Sequence, residues 1–265
     1  MTFHKDFISI NFSEAAETYN LWAKHQQFAA AKLIKSQPDI RIGANILDAG
    51  CGTGLLTQMA CDHYNNARFL GIDISEQMIN HCQAKFGHKK NMQFLVHDLE
   101  KLNEINLPYH FDLILSSFTL QWITNVDHVL QTLINSLRPG GYIGIAIPVK
   151  GSLFELYDSY YSAFNTQMAG LSYKDPDYYI SILERLHTSI YTVQVENICN
   201  LFNGIDILRY FKYTGTTFRH NPDYRPKTIK EINTLLAYYK RNHGQNNKQL
   251  PLTFKVLFLI AQKLN

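Results

Sequence analysis

The chain has 265 residues, long enough for one large domain, and 46% of them are hydrophobic, which fills a core and excludes wholesale disorder. Lys plus Arg outnumber Asp plus Glu by 25 to 22, and a net charge of +3 is too small for a general nucleic-acid binder. The four cysteines, Cys51, Cys61, Cys82 and Cys199, form no CxxC pair and have no His at metal-ligand spacing, so neither a disulfide framework nor a metal site is expected.

The first ten residues mix Lys5 and Asp6 with apolar side chains, unlike a secretory signal. Asn11 to Lys35 carries apolar residues at helical spacing, Phe12, Ala15, Ala16, Tyr19 and Ala23 among them, and reads as one helix closed by Pro38. Ile46 to Asp48 is a short apolar strand that runs into a glycine-rich turn, and Leu55 to Tyr64 is a helix. The alternation repeats. Arg68 to Asp73 is a strand, Ser75 caps a helix to Phe86, and Met92 to His97 is the third strand. Phe111 to Ser116 is the fourth strand and Val126 to Leu137 a helix that Arg138-Pro139-Gly140-Gly141 terminates. Tyr142 to Ile147 is the fifth. Strands alternating with helices over this stretch imply a parallel sheet covered on both faces.

The last third is read as a helix over Ser152 to Met168, a strand over Ile190 to Leu201, helices over Ile205 to Tyr213 and Ile229 to Tyr239, and a final strand over Leu252 to Ile260. Leu250 to Leu264 is the most apolar run, but Lys255, Gln262 and Lys263 interrupt it and it is too short to span a bilayer. The expectation is an α/β chain forming a single domain over 1–265: an N-terminal helical lid (1–40), a ligand-binding core (41–150), and C-terminal strands with a helical cap (151–265). A cytoplasmic protein with no membrane and no nucleic-acid partner is expected.

The most specific signal is Asp48-Ala49-Gly50-Cys51-Gly52-Thr53-Gly54. Gly50, Gly52 and Gly54 let the backbone turn sharply and approach a ligand closely, beyond the carboxyl end of a strand where open parallel sheets bind their ligands. A dinucleotide site would use G-x-G-x-x-G and would place a pyrophosphate there, which Asp48 would repel. The same carboxylate suits a ligand with an ammonium group and no phosphate, and S-adenosylmethionine has that ammonium and a sulfonium. Asp73 ends the second strand, where a carboxylate accepts hydrogen bonds from ribose hydroxyls. Ile74 and Met78 are placed beside the adenine, Asp98 at its amino group and Leu99 on its face. Ser116 and Ser117 end the fourth strand, where the methyl donor is expected, and Ser116 is taken as the cofactor contact. His97 reads as a partly buried packing residue. These residues resemble those of class I S-adenosylmethionine-dependent methyltransferases, over about Ile46 to Ile147. The resemblance implies a Rossmann-like sheet of seven strands, the last antiparallel.

The flanks narrow the resemblance. Phe12-Ser13-Glu14-Ala15-Ala16-Glu17-Thr18-Tyr19, Ser117-Phe118-Thr119-Leu120-Gln121-Trp122, Gly151-Ser152-Leu153-Phe154-Glu155-Leu156, Leu208-Arg209-Tyr210-Phe211-Lys212-Tyr213-Thr214-Gly215 and Pro251-Leu252-Thr253-Phe254 are together similar to the malonyl-acyl-carrier-protein O-methyltransferases of biotin synthesis. That family often has Arg where Glu14 stands and a glycine-rich stretch where Tyr213 and Thr214 stand. The resemblance implies methyl transfer to the free carboxylate of a malonyl thioester, borne by acyl carrier protein or coenzyme A.

Such a carboxylate, with an ordinary pKa of about 4, is already ionised at neutral pH and needs no base. It needs alignment and hydrogen-bond donors. Tyr19 is the first candidate donor, its alternative role being a core aromatic. Gln121 and Trp122 face the acceptor side, Trp122 alternatively as packing. Arg209 and Lys212, on a cap helix, are candidates to meet the malonyl carboxylate or the carrier's acidic surface, and otherwise form a solvated helix face. The basic run Arg219-His220 to Arg225-Pro226-Lys227 reads as a loop that could dock an acidic carrier. Two other activities fit the core equally: methylation of a small carboxylic acid or quinone precursor, and a methyltransferase-like assembly factor for a respiratory complex.

Overall fold

The computed structural model describes residues 5–217, 225–245 and 249–264. The N-terminal segment forms three short helices, α1 (Lys5–Ala15), α2 (Tyr19–Trp22) and α3 (Lys24–Lys35), rather than the single helix expected. The chain breaks between Ala15 and Tyr19 and again at Ala23, and the first break sets Tyr19 at the start of its own turn. Next come β1 (Asn45–Ala49), α4 (Leu55–His63), β2 (Arg68–Asp73), α5 (Glu76–Phe86) and β3 (Met92–Val96), then β4 (Phe111–Ser117), α6 (Val126–Ser136) and β5 (Leu137–Pro148). The cap elements are α7 (Phe154–Phe164), α8 (Pro176–Arg185), β6 (Thr188–Asn203), α9 (Asp206–Tyr213) and α10 (Ile229–His243), and β7 is Gln249–Lys263. Helix α8 is missing from the sequence reading, although Asp175 before Pro176 is an ordinary helix start.

The seven strands form one sheet in the order β3-β2-β1-β4-β5-β7-β6. Strands β1 to β5 are parallel, and β7 runs antiparallel between β5 and β6. Alternate side chains of each central strand enter opposite cores, as the two-residue period requires. Ile46, Leu113 and Leu115 pack with α3 and α4 on one face, while Leu47, Ile114 and Ile145 pack with α6 and α8 on the other. All five residues of β1 are buried, the polar Asn45 and Asp48 included, because the parallel strand is covered on both faces. Each such fully buried Leu or Ile contributes about 2 kcal/mol by leaving water.

The order of assembly reverses at β1. Strands β2 and β3 lie to one side of it and β4 and β5 to the other. A crevice opens at such a switch point beyond the strand ends. The glycine turn after β1 is therefore placed there by topology as well as by composition.

Candidate active site

Gly50, Gly52 and Gly54 all take left-handed backbone angles, with φ of +82°, +52° and +75°. Their surroundings give each a different role. A Cβ on Gly50 would lie 2.2 Å from the Thr119 side chain, so the turn must pass close under the loop after β4. A Cβ on Gly54 would lie 2.6 Å from the Phe86 ring, which makes Gly54 a helix-packing glycine rather than a ligand contact. Beyond Gly52 nothing stands within 4 Å, and this glycine faces a cavity. Cys51 is a buried free thiol, as a small residue filling the turn.

Asp73 closes the loop. Its Oδ2 accepts the backbone N–H of Gly52 at 2.9 Å, and its Oδ1 accepts that of Ser75 at 2.9 Å. Burial pushes its carboxyl above the usual 3.8, against the pull of those N–H groups. Ser75 caps α5 by accepting from the Met78 N–H. Asp73, Ile74, Met78, Asp98 and Leu99 line the same cavity as Gly50 and Gly52, so the structure brings most of the expected cofactor residues together. His97 sits at its edge, its ring on the Lys101 carbonyl at 3.0 Å.

Two expected residues sit differently. Asp48 lies beneath the loop and not on the cavity wall. One oxygen accepts the Thr57 hydroxyl at 2.6 Å and the other, Oδ1, is buried with no hydrogen-bond partner among the described residues. Burial pushes its carboxyl up to about 7. Ser116 also turns away, donating to the Ala49 carbonyl at 2.8 Å. Its neighbour Ser117 lines the cavity instead, with its hydroxyl oxygen buried and unpartnered among the described residues. Successive residues of a strand face opposite ways, so of the two serines at the strand end one faces the cavity.

The N-terminal helices close over this cavity. Lys5 pairs with Asp98 at 2.5 Å and with Glu100, while Ser13 and Ser75 share a hydrogen bond of 2.8 Å. Thr53 in the glycine loop donates to Asn20 at 2.6 Å. Lys5, Ile8 and Phe12 thereby become wall residues, a role no sequence motif announces.

A second cavity, of about 520 Å³, adjoins the first. Tyr19, Phe12, Phe118 and Trp122 line both and form the shared wall. Phe12 meets the Trp122 ring edge-on at 5.4 Å between centroids. Burial and the nearby Asp73 charge hold the Tyr19 phenol well above its usual 10, so it stays a protonated donor. Gln121 lines the second cavity as expected. Its amide N–H donates to the Phe118 carbonyl at 2.8 Å and its buried Oε1 is unpartnered among the described residues. The rest of the wall is largely aromatic and aliphatic, from α7, α9, α10 and β7.

Arg209 and Lys212 do not reach either cavity. Helix α9 buries Ile207 and Tyr210 and turns Leu208 and Phe211 to the cavity, which leaves positions 209 and 212 to solvent. Arg209 pairs with Asp206 on its own helix at 2.9 Å, and Lys212 lies over the Tyr213 ring. The cations that do line the cavity are Arg225 and Lys227. Of the basic run that contains them, Arg219 and His220 lie outside the described residues.

Among the described residues, no group of His, Cys, Asp and Glu could hold a metal ion, and no helix is long and apolar enough to cross a membrane. The donor set fits a different ligand. A glycine cradle, a loop-bound carboxylate and a buried unpaired carboxylate oxygen suit a polar, cationic, ribose-bearing cofactor.

Residues 47–143 match a family described as a methyltransferase domain. The fold is shared with the YcgJ protein of Bacillus subtilis, with a TM-score of 0.63 over 90% of this chain and 99% of that one at 12% identity. It is shared with a geranyl diphosphate methyltransferase solved with its cofactor, with a TM-score of 0.55 over 90% of this chain and 85% of that one at 13% identity. The chain carries a methyltransferase domain and has the fold of the class I S-adenosylmethionine-dependent methyltransferases. Along its whole length it is similar to malonyl-[acyl-carrier protein] O-methyltransferases. It is 29% identical to one from Ilyobacter polytropus over 98% of both chains, and 29% identical to one from Priestia megaterium over 99% of both.

Proposed function

We propose that the protein transfers a methyl group from S-adenosylmethionine to the free carboxylate of a malonyl thioester, preferably on acyl carrier protein. The product would be the methyl ester that primes pimeloyl synthesis in the biotin pathway, in the cytoplasm. The observation that carries this reading is the shared wall. A cavity with polar cofactor donors and a large apolar cavity meet at Tyr19, Phe12, Phe118 and Trp122.

When bound, S-adenosylmethionine supplies an electrophilic methyl on a sulfonium. Asp73 would hold the ribose hydroxyls, Asp98 and Leu99 the adenine, with Ile74 and Met78 beside it. Gly50 and Gly52 would let the backbone close on the methionyl part. An ammonium group bound over the loop would draw Asp48, whose carboxyl burial holds up at about 7, into its ionised form, and the Ser117 hydroxyl faces the same cavity. The acceptor carboxylate is ionised at neutral pH and requires no base. Catalysis then rests on alignment at the shared wall, with the neutral Tyr19 hydroxyl donating to one carboxylate oxygen and Gln121 and Trp122 limiting its orientation. Phe12, Phe118 and Trp122 exclude water from the junction.

The test uses methyl-labelled S-adenosylmethionine with malonyl-carrier protein, malonyl-coenzyme A and free malonate in parallel. Label in a base-labile ester on a malonyl thioester is the expected result. Absence of label from all three, while the cofactor still binds, would remove the acceptor assignment and leave the class.

A further inference from the structure

The second cavity is too large for the acyl group alone. At about 520 Å³ it lies within the roughly 300–1,000 Å³ of sites that enclose a drug-sized ligand, whereas a malonyl group is a three-carbon unit. Its inner end is the wall shared with the cofactor cavity. Its outer end is marked by Arg225, whose side chain is 71% exposed, and by Lys227. Among the described residues these are the cations of the lining, and Glu231 is its acid.

The three form a built group. The Glu231 carboxylate caps α10 by accepting from Thr228, and it also holds Arg225 and, at 3.6 Å, Lys227. These contacts, the Thr228 N–H first among them, hold its carboxyl down at about 2. Lys227 is further fixed over the rings of Phe164, at 4.6 Å, and Tyr160, at 5.1 Å. Two positioned cations against one fixed anion leave a net positive mouth on an otherwise apolar cavity. An occupant that fills it would therefore be largely uncharged against the aromatic and aliphatic walls, with an anion at the end that meets Arg225 and Lys227.

We propose that Arg225 and Lys227 form a phosphate subsite for the foot of a 4′-phosphopantetheine arm, with the arm lying in the cavity and its acyl end at Tyr19. This rests on the thioester reading above. Arg225 has guanidinium N–H groups to spare beyond its contact with Glu231, and a phosphate accepts such donors strongly. The arm is common to coenzyme A and to the carrier protein, so the subsite recognises the chemistry that the two bearers share.

The experiment needs no turnover. Pantetheine and 4′-phosphopantetheine are titrated separately into the protein loaded with S-adenosylhomocysteine. The phosphate is expected to tighten binding by roughly tenfold or more at low salt, and added salt to shrink the difference. In the double variant Arg225→Gln/Lys227→Gln the ratio between the two ligands is expected to fall towards one. Equal affinities in the unaltered protein, or binding of neither ligand, would overturn the proposal without reference to any variant. Coenzyme A and the holo-carrier protein, titrated in the same way, identify the preferred bearer. A variant that loses carrier affinity while keeping its phosphopantetheine affinity would reassign the two cations to protein contact. Because no methyl moves in these titrations, the phosphate result stands apart from the labelling result on the acceptor.

Discussion

The two cavities are built by different means. The cofactor cavity is centred on backbone: the left-handed Gly50 and Gly52, N–H groups aimed at Asp73, and the open ends of parallel strands. The acceptor cavity is made of side chains from α7, α9, α10 and β7, elements remote in sequence. Backbone sites tolerate little change because a Cβ or a lost N–H partner has nowhere to be absorbed. Side-chain sites can be retuned one residue at a time. This difference explains how a common cofactor half serves many acceptors across one fold.

The contrast predicts a graded series of effects. The largest is Gly50→Ala, which combines a φ of +82° with a contact of 2.2 Å to Thr119. It should cost about 3 kcal/mol or more of stability and abolish cofactor binding, as read by denaturation and calorimetry. Asp73→Ala should come next, weakening cofactor affinity by about 2 kcal/mol, or roughly thirtyfold. Unchanged affinity would sever Asp73 from the cofactor.

A titration probes the buried Asp48. Its folded pKa of about 7 exceeds the ordinary 3.8, so between those values the folded protein holds a proton that the unfolded chain has released. Stability of the cofactor-free protein should therefore fall as pH rises through that window, and Asp48→Asn should flatten the slope. A slope equally steep in the variant would assign it to Asp73, whose carboxyl is raised in the same direction.

Tyr19→Phe tests the seam between the two halves. Turnover is expected to fall roughly tenfold with cofactor affinity intact, because one hydrogen bond to the acceptor is lost. Normal turnover would return Tyr19 to packing. Smallest of all is Arg209→Ala, which should leave turnover unchanged and stability within about 0.5 kcal/mol, since its ion pair with Asp206 is exposed. A clear loss of turnover would mean that α9 reorients when the acceptor binds.

The same contrast governs what could be read beforehand. From β1 to β4 the sequence announces its elements within a residue or two, because buried parallel strands, turn glycines and a capping Ser75 are local signals. The sequence places both Ser116 and Ser117 at the strand end but does not choose between them, because the side on which a strand residue emerges depends on pairing with β1, which no local pattern states. For Arg209 and Lys212 the local pattern decides between cavity and solvent: Ile207, Leu208, Tyr210 and Phe211 mark the apolar face of α9, and the two cations fall between them. Lys5, Phe12 and the Arg225–Lys227 pair were not legible in the same way. Their roles arise only when distant segments close over the strand ends. The breaks at Ala16 to Thr18 and at Ala23 lie in a run whose composition favours a continuous helix, and tertiary contacts such as Thr18 to the Tyr213 carbonyl override it.

Strand β7 has one further consequence. It lies between β5 and β6, pairing Tyr142 with Gln262 and Thr188 with Lys263. The parallel pairs of the cofactor half, such as Asn45 with Arg68 and Ile46 with Leu113, close shorter loops than Tyr142 with Gln262 does. Loop-closure entropy makes such distant pairings slow to nucleate. The half that cradles the nucleoside can thus assemble along the chain as neighbouring segments meet, whereas the half that selects the acceptor waits for a late strand to slot into place. A folding trajectory interrupted before that event would leave an intermediate able to recognise its methyl donor and blind to the molecule it should modify.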